Sequence, residues 1–159
     1  DDAYELFRDH PILTRKFGIL RDVGLGYLQV GQPSGTLSGG ESQRLKIAAT
    51  LDERTLESLL YVFDEPTTGL HLEDVKRLIT VLQDLVSDRH SVVLIEHHLD
   101  VIAAADWVID LGPDGGDRGG HVTACGTPEE ISCNPDSVTG RMLVAAGYFN
   151  GVKPERSYP

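Results

Sequence analysis

The sequence predicts an α/β domain: a mostly parallel sheet flanked by helices, with a helical segment ahead of it at the N-terminus. Three observations carry this. Short apolar runs alternate with amphipathic helical patterns through the middle of the chain, as in strands joined by crossover helices. The runs Leu59–Phe63 and Ser91–Ile95 lack the alternation of a half-exposed strand and read as buried parallel strands. The chain has 159 residues, 40% of them hydrophobic and 25% charged, which suffices for one packed core.

The elements follow in order. From Asp2 to Gly24, apolar residues recur at helical spacing, with a break expected at Pro11. Gly24, Gly26, Gly31, Pro33 and Gly35 mark a loop. Ser38 opens a helix running to about Leu51, with Glu41 three residues on as the second half of a capping box. After the strand ending at Phe63, the residues Leu72, Val75, Leu78, Ile79, Leu82, Leu85 and Val86 form one stripe of a long helix. A strand over Ser91–Ile95, a short helix over His98–Ala105 and a strand over Trp107–Leu111 follow. Gly112–Gly120 reads as a turn-rich loop, His121–Cys125 as a fourth strand, and Thr127–Ser132 and Ser137–Ala146 as short helices. The tail Gly151–Pro159 is expected to fray. Three parts result: a helical segment over 1–52, an α/β lobe over 53–147 and a tail over 148–159.

Composition excludes several classes. No apolar run approaches the roughly 18 residues of a membrane span, so no membrane partner is expected. Two cysteines, Cys125 and Cys133, cannot staple a fold or complete a four-ligand zinc site; they read as ordinary thiols in a reducing cytoplasm. Net charge is −11, so contact with a polyphosphate requires a local patch or another part of the molecule. The only methionine is Met142; residue 1 is therefore not expected to be a translation start, and the chain reads as a piece of a larger protein.

Three motifs carry chemistry. In Leu37-Ser38-Gly39-Gly40-Glu41-Ser42-Gln43-Arg44, two glycines at a helix start let backbone N–H groups approach an anion, and the helix end adds partial positive charge. By itself Ser-Gly-Gly-Glu reads as an ordinary capped helix. The second motif is the apolar strand ending in Asp64-Glu65, which presents carboxylates at the carboxyl edge of a sheet, where ligands bind in open α/β folds. Alone it reads as an acidic turn before Pro66. The third is His97, just after the strand Ser91–Ile95; a lone histidine there is more often structural. His98 reads as a solvent-facing helix start.

In this order the strings resemble those of ABC-type ATPases, and in detail the UvrA family. Thr36 to Lys46 is similar to the UvrA signature. Asp64-Glu65-Pro66-Thr67-Thr68-Gly69-Leu70-His71 resembles its Walker B and D-loop, where transporters usually carry Ser-Ala-Leu-Asp after Asp-Glu-Pro-Thr. Ile95 to Ile102, Asp106 to Gly116 and Asp22 to Tyr27 resemble UvrA as well. The resemblance covers about Asp2 to Leu143 and implies an ABC-ATPase partial domain.

The resemblance implies ATP and Mg²⁺ as cofactors. Asp64 is then a Mg²⁺ ligand through water, Glu65 polarises the attacking water, and His97 contacts the γ-phosphate. Ser38, Gly39, Gly40 and Glu41 face a nucleotide held by another ATPase half. It further implies a DNA-damage recognition function in nucleotide excision repair, with DNA, a second copy of the protein and a UvrB-like protein as partners. The chain departs from the family in two respects: it contains no Gly-Lys pair, hence no P-loop, and it lacks the family's zinc cysteines. It therefore reads as the C-terminal part of the second ATPase half. The alternatives are the ATPase segment of a UvrA-like resistance paralogue or of a transporter, and a truncated non-catalytic interaction module.

Overall fold

The computed structural model describes residues 1–52, 57–112 and 119–150. The chain divides into two units, Asp1–Glu96 and His97–Pro159.

The first unit begins with helices α1 (Asp2–Leu6) and α2 (Pro11–Asp22). Pro11 starts α2 at a position where its missing N–H costs nothing, so the expected break is the beginning of a helix. Past Val23 and Leu25, both buried, a 3-10 turn at Ser34–Thr36 leads into α3 (Gly39–Asp52). The strand β1 (Leu60–Asp64), the helix α4 (Leu72–Ser87) and the strand β2 (Ser91–Ile95) then form one right-sized crossover unit. β1 and β2 are parallel, in register from Leu60 opposite Ser91 to Asp64 opposite Ile95.

The stripe read from the sequence is the buried face of α4: Val75, Leu78, Val81, Leu82 and Leu85. Four of these join Phe63 of β1 and Val23, Leu25, Ile47 and Ala48 in the core, with Tyr61, Val92 and Leu94 packed against it. A fully buried side chain of this size contributes about 1.5–3 kcal/mol over its exposed state, so this cluster fixes where β1 and β2 end. The alternate residues Leu60, Val62, Val93 and Ile95 are exposed on the other face.

The second unit holds α5 (Leu99–Ala103), β3 (Val108–Gly112), β4 (His121–Gly126), α6 (Pro128–Ser132) and α7 (Val138–Ala145). β3 and β4 run antiparallel, with a register irregularity between Asp110 and Leu111. α6 starts with a full capping box: Glu130 N–H donates to Thr127 Oγ1 at 3.3 Å, and Thr127 N–H to Glu130 Oε2 at 3.1 Å. Between α6 and α7 the chains touch closely, since a Cβ on Gly140 would stand 2.1 Å from the Ile131 carbonyl oxygen. Ser137, fully buried, caps α7 by accepting from Gly140 N–H at 2.8 Å and donates to Asp110 Oδ2 at 2.5 Å. Thr139 donates to Asp110 Oδ1 at 2.7 Å. One β3 carboxylate thus anchors the start of α7.

The expected mostly parallel sheet is corrected by this arrangement. The described residues are mainly helical, with two separate two-stranded sheets, and only β1–β2 is parallel. The reason is the connections. A parallel pair needs a crossover of a dozen or more residues; α4 supplies it between β1 and β2, whereas the link from Gly112 to His121 is too short and closes a hairpin. Of the predicted loop over Gly112–Gly120, residues 113–118 lie outside the described residues, as does the predicted fraying of the tail from Gly151. Among the described residues no helix is long and apolar enough to cross a membrane, and Cys125 and Cys133 are free.

Ser137→Ala should lower the unfolding free energy by about 1–2 kcal/mol, through loss of the α7 cap and of a donor to Asp110. Urea denaturation checks this; an unchanged midpoint would show that Ser137 does not hold α7.

Candidate functional site

The start of α3 is fixed by its own side chains. Ser38 N–H donates to Glu41 Oε2 at 2.6 Å, and Glu41 N–H donates to Ser38 Oγ at 3.2 Å, the reciprocal pair that satisfies two otherwise orphaned groups of the first turn. The Tyr27 hydroxyl donates to the other Glu41 oxygen, Oε1. The Tyr27 hydrogen bond, followed by those from Ser38, holds the Glu41 carboxyl below the usual carboxylate range. Desolvation first, then the Glu41 contact, pushes the Tyr27 phenol up. Both Glu41 oxygens are therefore engaged within the protein. The N–H groups of Gly39 and Gly40, in the first turn of the helix, have no partner within it.

β1 delivers the two acids. Asp64 lies at the end of the strand opposite Ile95. One residue on, Glu65 N–H donates to Ile95 O at 2.8 Å, extending the ladder. There the backbone leaves the strand: Glu65 has φ +46°, a left-handed conformation that costs a non-glycine residue about 1 kcal/mol or more. The turn that follows closes with Thr68 N–H on Glu65 O at 3.1 Å and Leu70 N–H on Thr67 O at 3.0 Å.

Two side chains from other elements hold that turn. Arg44 of α3, 1% exposed, donates from Nη1 to Pro66 O at 3.1 Å and to Thr68 O at 3.0 Å. Glu96, after β2, accepts at Oε1 from Thr67 N–H at 3.0 Å and from Thr67 Oγ1 at 2.6 Å. α3 approaches the turn closely at Gly40, where a Cβ would stand 3.0 Å from Thr68 O and 3.2 Å from Arg44 Nη1.

The result is an open cleft lined by Ser38, Gly39, Gly40, Gln43, Asp64, Glu65, Thr68 and Gly69. It brings together residues from two of the three predicted motifs. Glu41 is not among its lining residues and instead holds the helix start. His97 opens the second unit and is described with it, just ahead of α5. The cleft offers two kinds of chemistry: helix-start N–H groups and a hydroxyl for an anion, and carboxylate oxygens for a hard cation. Among the described residues no group of three or more His, Cys, Asp or Glu could hold a metal by itself.

Arg44, Glu96 and Tyr27 were missed as site residues. For Arg44 a signal exists: it lies on the same helical face as Ile47, Ala48 and Leu51, at spacings of three, four and seven, so periodicity places its charge inside. Thr67 and Glu96 stand 29 positions apart, and nothing local in the sequence announces their pairing.

No family model matches the chain. Comparison with known proteins finds "UvrABC system protein A" of Aquifex aeolicus, 59% identical over 143 residues, covering 90% of this chain and 15% of that protein. The protein of the same name from Deinococcus radiodurans is 54% identical over 143 residues, covering 90% of this chain and 14% of its own length. The crystal structure of UvrA2 from Deinococcus radiodurans superposes with a TM-score of 0.80 at 47% identity, over 92% of this chain and 18% of that one. The chain is thus strongly homologous to one segment of these proteins, and it spans about 15% of the length of the curated relatives it matches.

Tyr27→Phe removes the largest cause of the lowered Glu41 titration, so the Glu41 midpoint should move up toward the ordinary glutamate range. The sign follows from linkage: a depressed carboxyl contributes stability above its unfolded pKa and loses it as pH falls through the folded value. The variant should therefore lose less stability on acidification than the parent. Carbon-detected NMR titration of the Glu41 carboxyl checks this, and an unmoved midpoint would remove Tyr27 as the principal cause.

Proposed function

We propose that this chain, homologous over most of its length to a segment of UvrA, is the C-terminal part of the second ATPase half of a UvrA-like DNA-damage recognition protein. In that protein ATP hydrolysis is coupled to DNA binding in nucleotide excision repair. The reading takes the chain as a helical signature segment over 1–52, an ATPase lobe over 53–147 and a tail over 148–159, the P-loop lying elsewhere in the molecule. The observation that carries it is the cleft in which Ser38–Gly40 and Asp64–Glu65 meet. The homology supports it, and so does the exposed apolar face of Leu60, Val62, Val93 and Ile95, because parallel sheets are normally covered on both faces.

The roles follow from the chemistry of the groups. Asp64 would hold Mg²⁺ through water; the ion, when bound, would offset charge on the phosphates. Glu65 orients and polarises the attacking water by accepting a hydrogen bond from its O–H. Its left-handed backbone turns the chain out of the strand just past Asp64, so the two acids serve different tasks. Ser38, Gly39 and Gly40 donate to the terminal phosphate of a nucleotide brought by another ATPase half. Glu41 keeps that helix start in place through Ser38 and Tyr27. His97 contacts the γ-phosphate. The partners of this reading are DNA, a second copy of the protein and a UvrB-like repair protein.

In the full-length protein, Glu65→Gln should retain ATP binding and lose hydrolysis by at least about 100-fold, the scale of a missing general base. Asp64→Asn should instead weaken Mg²⁺-dependent nucleotide binding. Calorimetry and steady-state phosphate release separate the two. Wild-type turnover in Glu65→Gln would refute the assignment.

A further inference from the structure

Arg44 belongs to no function assigned so far. It is the most deeply buried cation among the described residues; it interacts with Tyr27 and with the Glu41 charge, and it donates to two backbone carbonyls of the turn, Pro66 O and Thr68 O. Burying a guanidinium is costly, and an apolar side chain of similar length would fill the same space on α3. What an apolar side chain could not do is grip the two carbonyls that flank Thr67. From the opposite side, Glu96 grips the N–H and the hydroxyl of Thr67 itself. The turn is thus held by its carbonyls from α3 and by its donors from the end of β2. It begins at Glu65, whose backbone is in a conformation that persists only when the surroundings over-determine it.

We propose that Arg44 is a positioning residue for nucleotide hydrolysis: it locks the first turns of α3 to the turn after Glu65, so that Ser38–Gly40 and the Glu65 carboxylate keep a fixed spacing. This rests on the hydrolytic reading of Asp64 and Glu65. Geometry makes the link direct. The same turn atom, Thr68 O, accepts from Arg44 and lies close to Gly40, where a Cβ would stand 3.0 Å from it. A displacement of α3 is therefore passed to Thr68, and through the Thr68 N–H to Glu65 O. Small misplacements of a reacting group are expensive, about 100-fold for 1 Å. Both Arg44 bonds leave from one nitrogen, so a lysine ammonium, which ends about one bond short, can restore part of the grip, whereas methionine restores none.

The test compares Arg44→Met and Arg44→Lys in the full-length protein, with Glu65→Gln alongside. Arg44→Met should lower kcat for ATP by about 10- to 100-fold while KM changes little, and Arg44→Lys should recover part of it. A second measurement, without nucleotide, is amide hydrogen exchange at Thr68 and Leu70, which should accelerate in Arg44→Met and be partly protected again in Arg44→Lys. Should Arg44→Met not fold, Arg44→Gln, too short to reach either carbonyl, takes its place with the same expectation. A variant whose turn loses protection while kcat per folded molecule stays at the parent value overturns the proposal, as does a loss confined to KM. If Arg44→Met is fully active and Glu65→Gln is dead, only the positioning role fails. If Glu65→Gln is active, the hydrolytic reading itself fails.

Discussion

The seal between α4 and the inner face of β1–β2 is the constraint from which the candidate site follows. Phe63 under Leu78, Val81, Leu82 and Leu85 fixes the strand in depth and register. With the side-chain period of two, burying Tyr61 and Phe63 obliges Asp64 to leave the core face. A register slip of one residue would bury Asp64 and expose Phe63. The carboxylates are therefore at the mouth of the sheet because of apolar packing several residues away.

α3 belongs to the same core through Ile47 and Ala48, and that shared anchorage sets the cleft. Its first turn is brought against the turn after Glu65 by helix packing, tolerated there by the missing Cβ of Gly40, and finished by Arg44. Packing gives the approach, and hydrogen bonds give the precise spacing. The second unit uses the same economy on a smaller scale: Asp110 on β3 takes both Ser137 and Thr139, so one strand carboxylate orients a helix that has little buried surface of its own.

What could be read from the sequence was local or periodic. The Ser38–Glu41 pair announced a helix start, and both of its hydrogen bonds are present. The α4 stripe announced a helix packed over two apolar strands, and β1 and β2 lie where the runs are. The parallel sheet beyond them was an over-extension: apolar runs at Val108 and Val122 look alike whichever way they pair, and strand direction resides in the connection length. Arg44 stood in the sequence only as part of a motif, although its spacing to Ile47 and Ala48 points inward. Glu96 and Tyr27 depend on contacts between distant segments, which periodicity does not encode. His97 was legible only as a motif residue just after an apolar strand.

An acidic chain is an unpromising partner for phosphate, with a net charge of −11, and α3 carries Glu41 in its first turn. The local arrangement answers this. An acid there favours the helix through its dipole, and its oxygens are occupied by Ser38 N–H and Tyr27 OH. The Glu41 charge also interacts with the buried Arg44 cation. The acid thus completes the cap while its charge is partly met inside the protein. Gly39 and Gly40 line the cleft without side chains, so their N–H groups can be approached. In the proposed reading, an anion at this helix start meets oriented donors at contact distance, while the remaining negative charge is spread over a solvated surface and screened within roughly 8 Å at physiological salt. Affinity for phosphate at such a site is set by the few groups in contact, which is why the overall charge of the chain does not decide it.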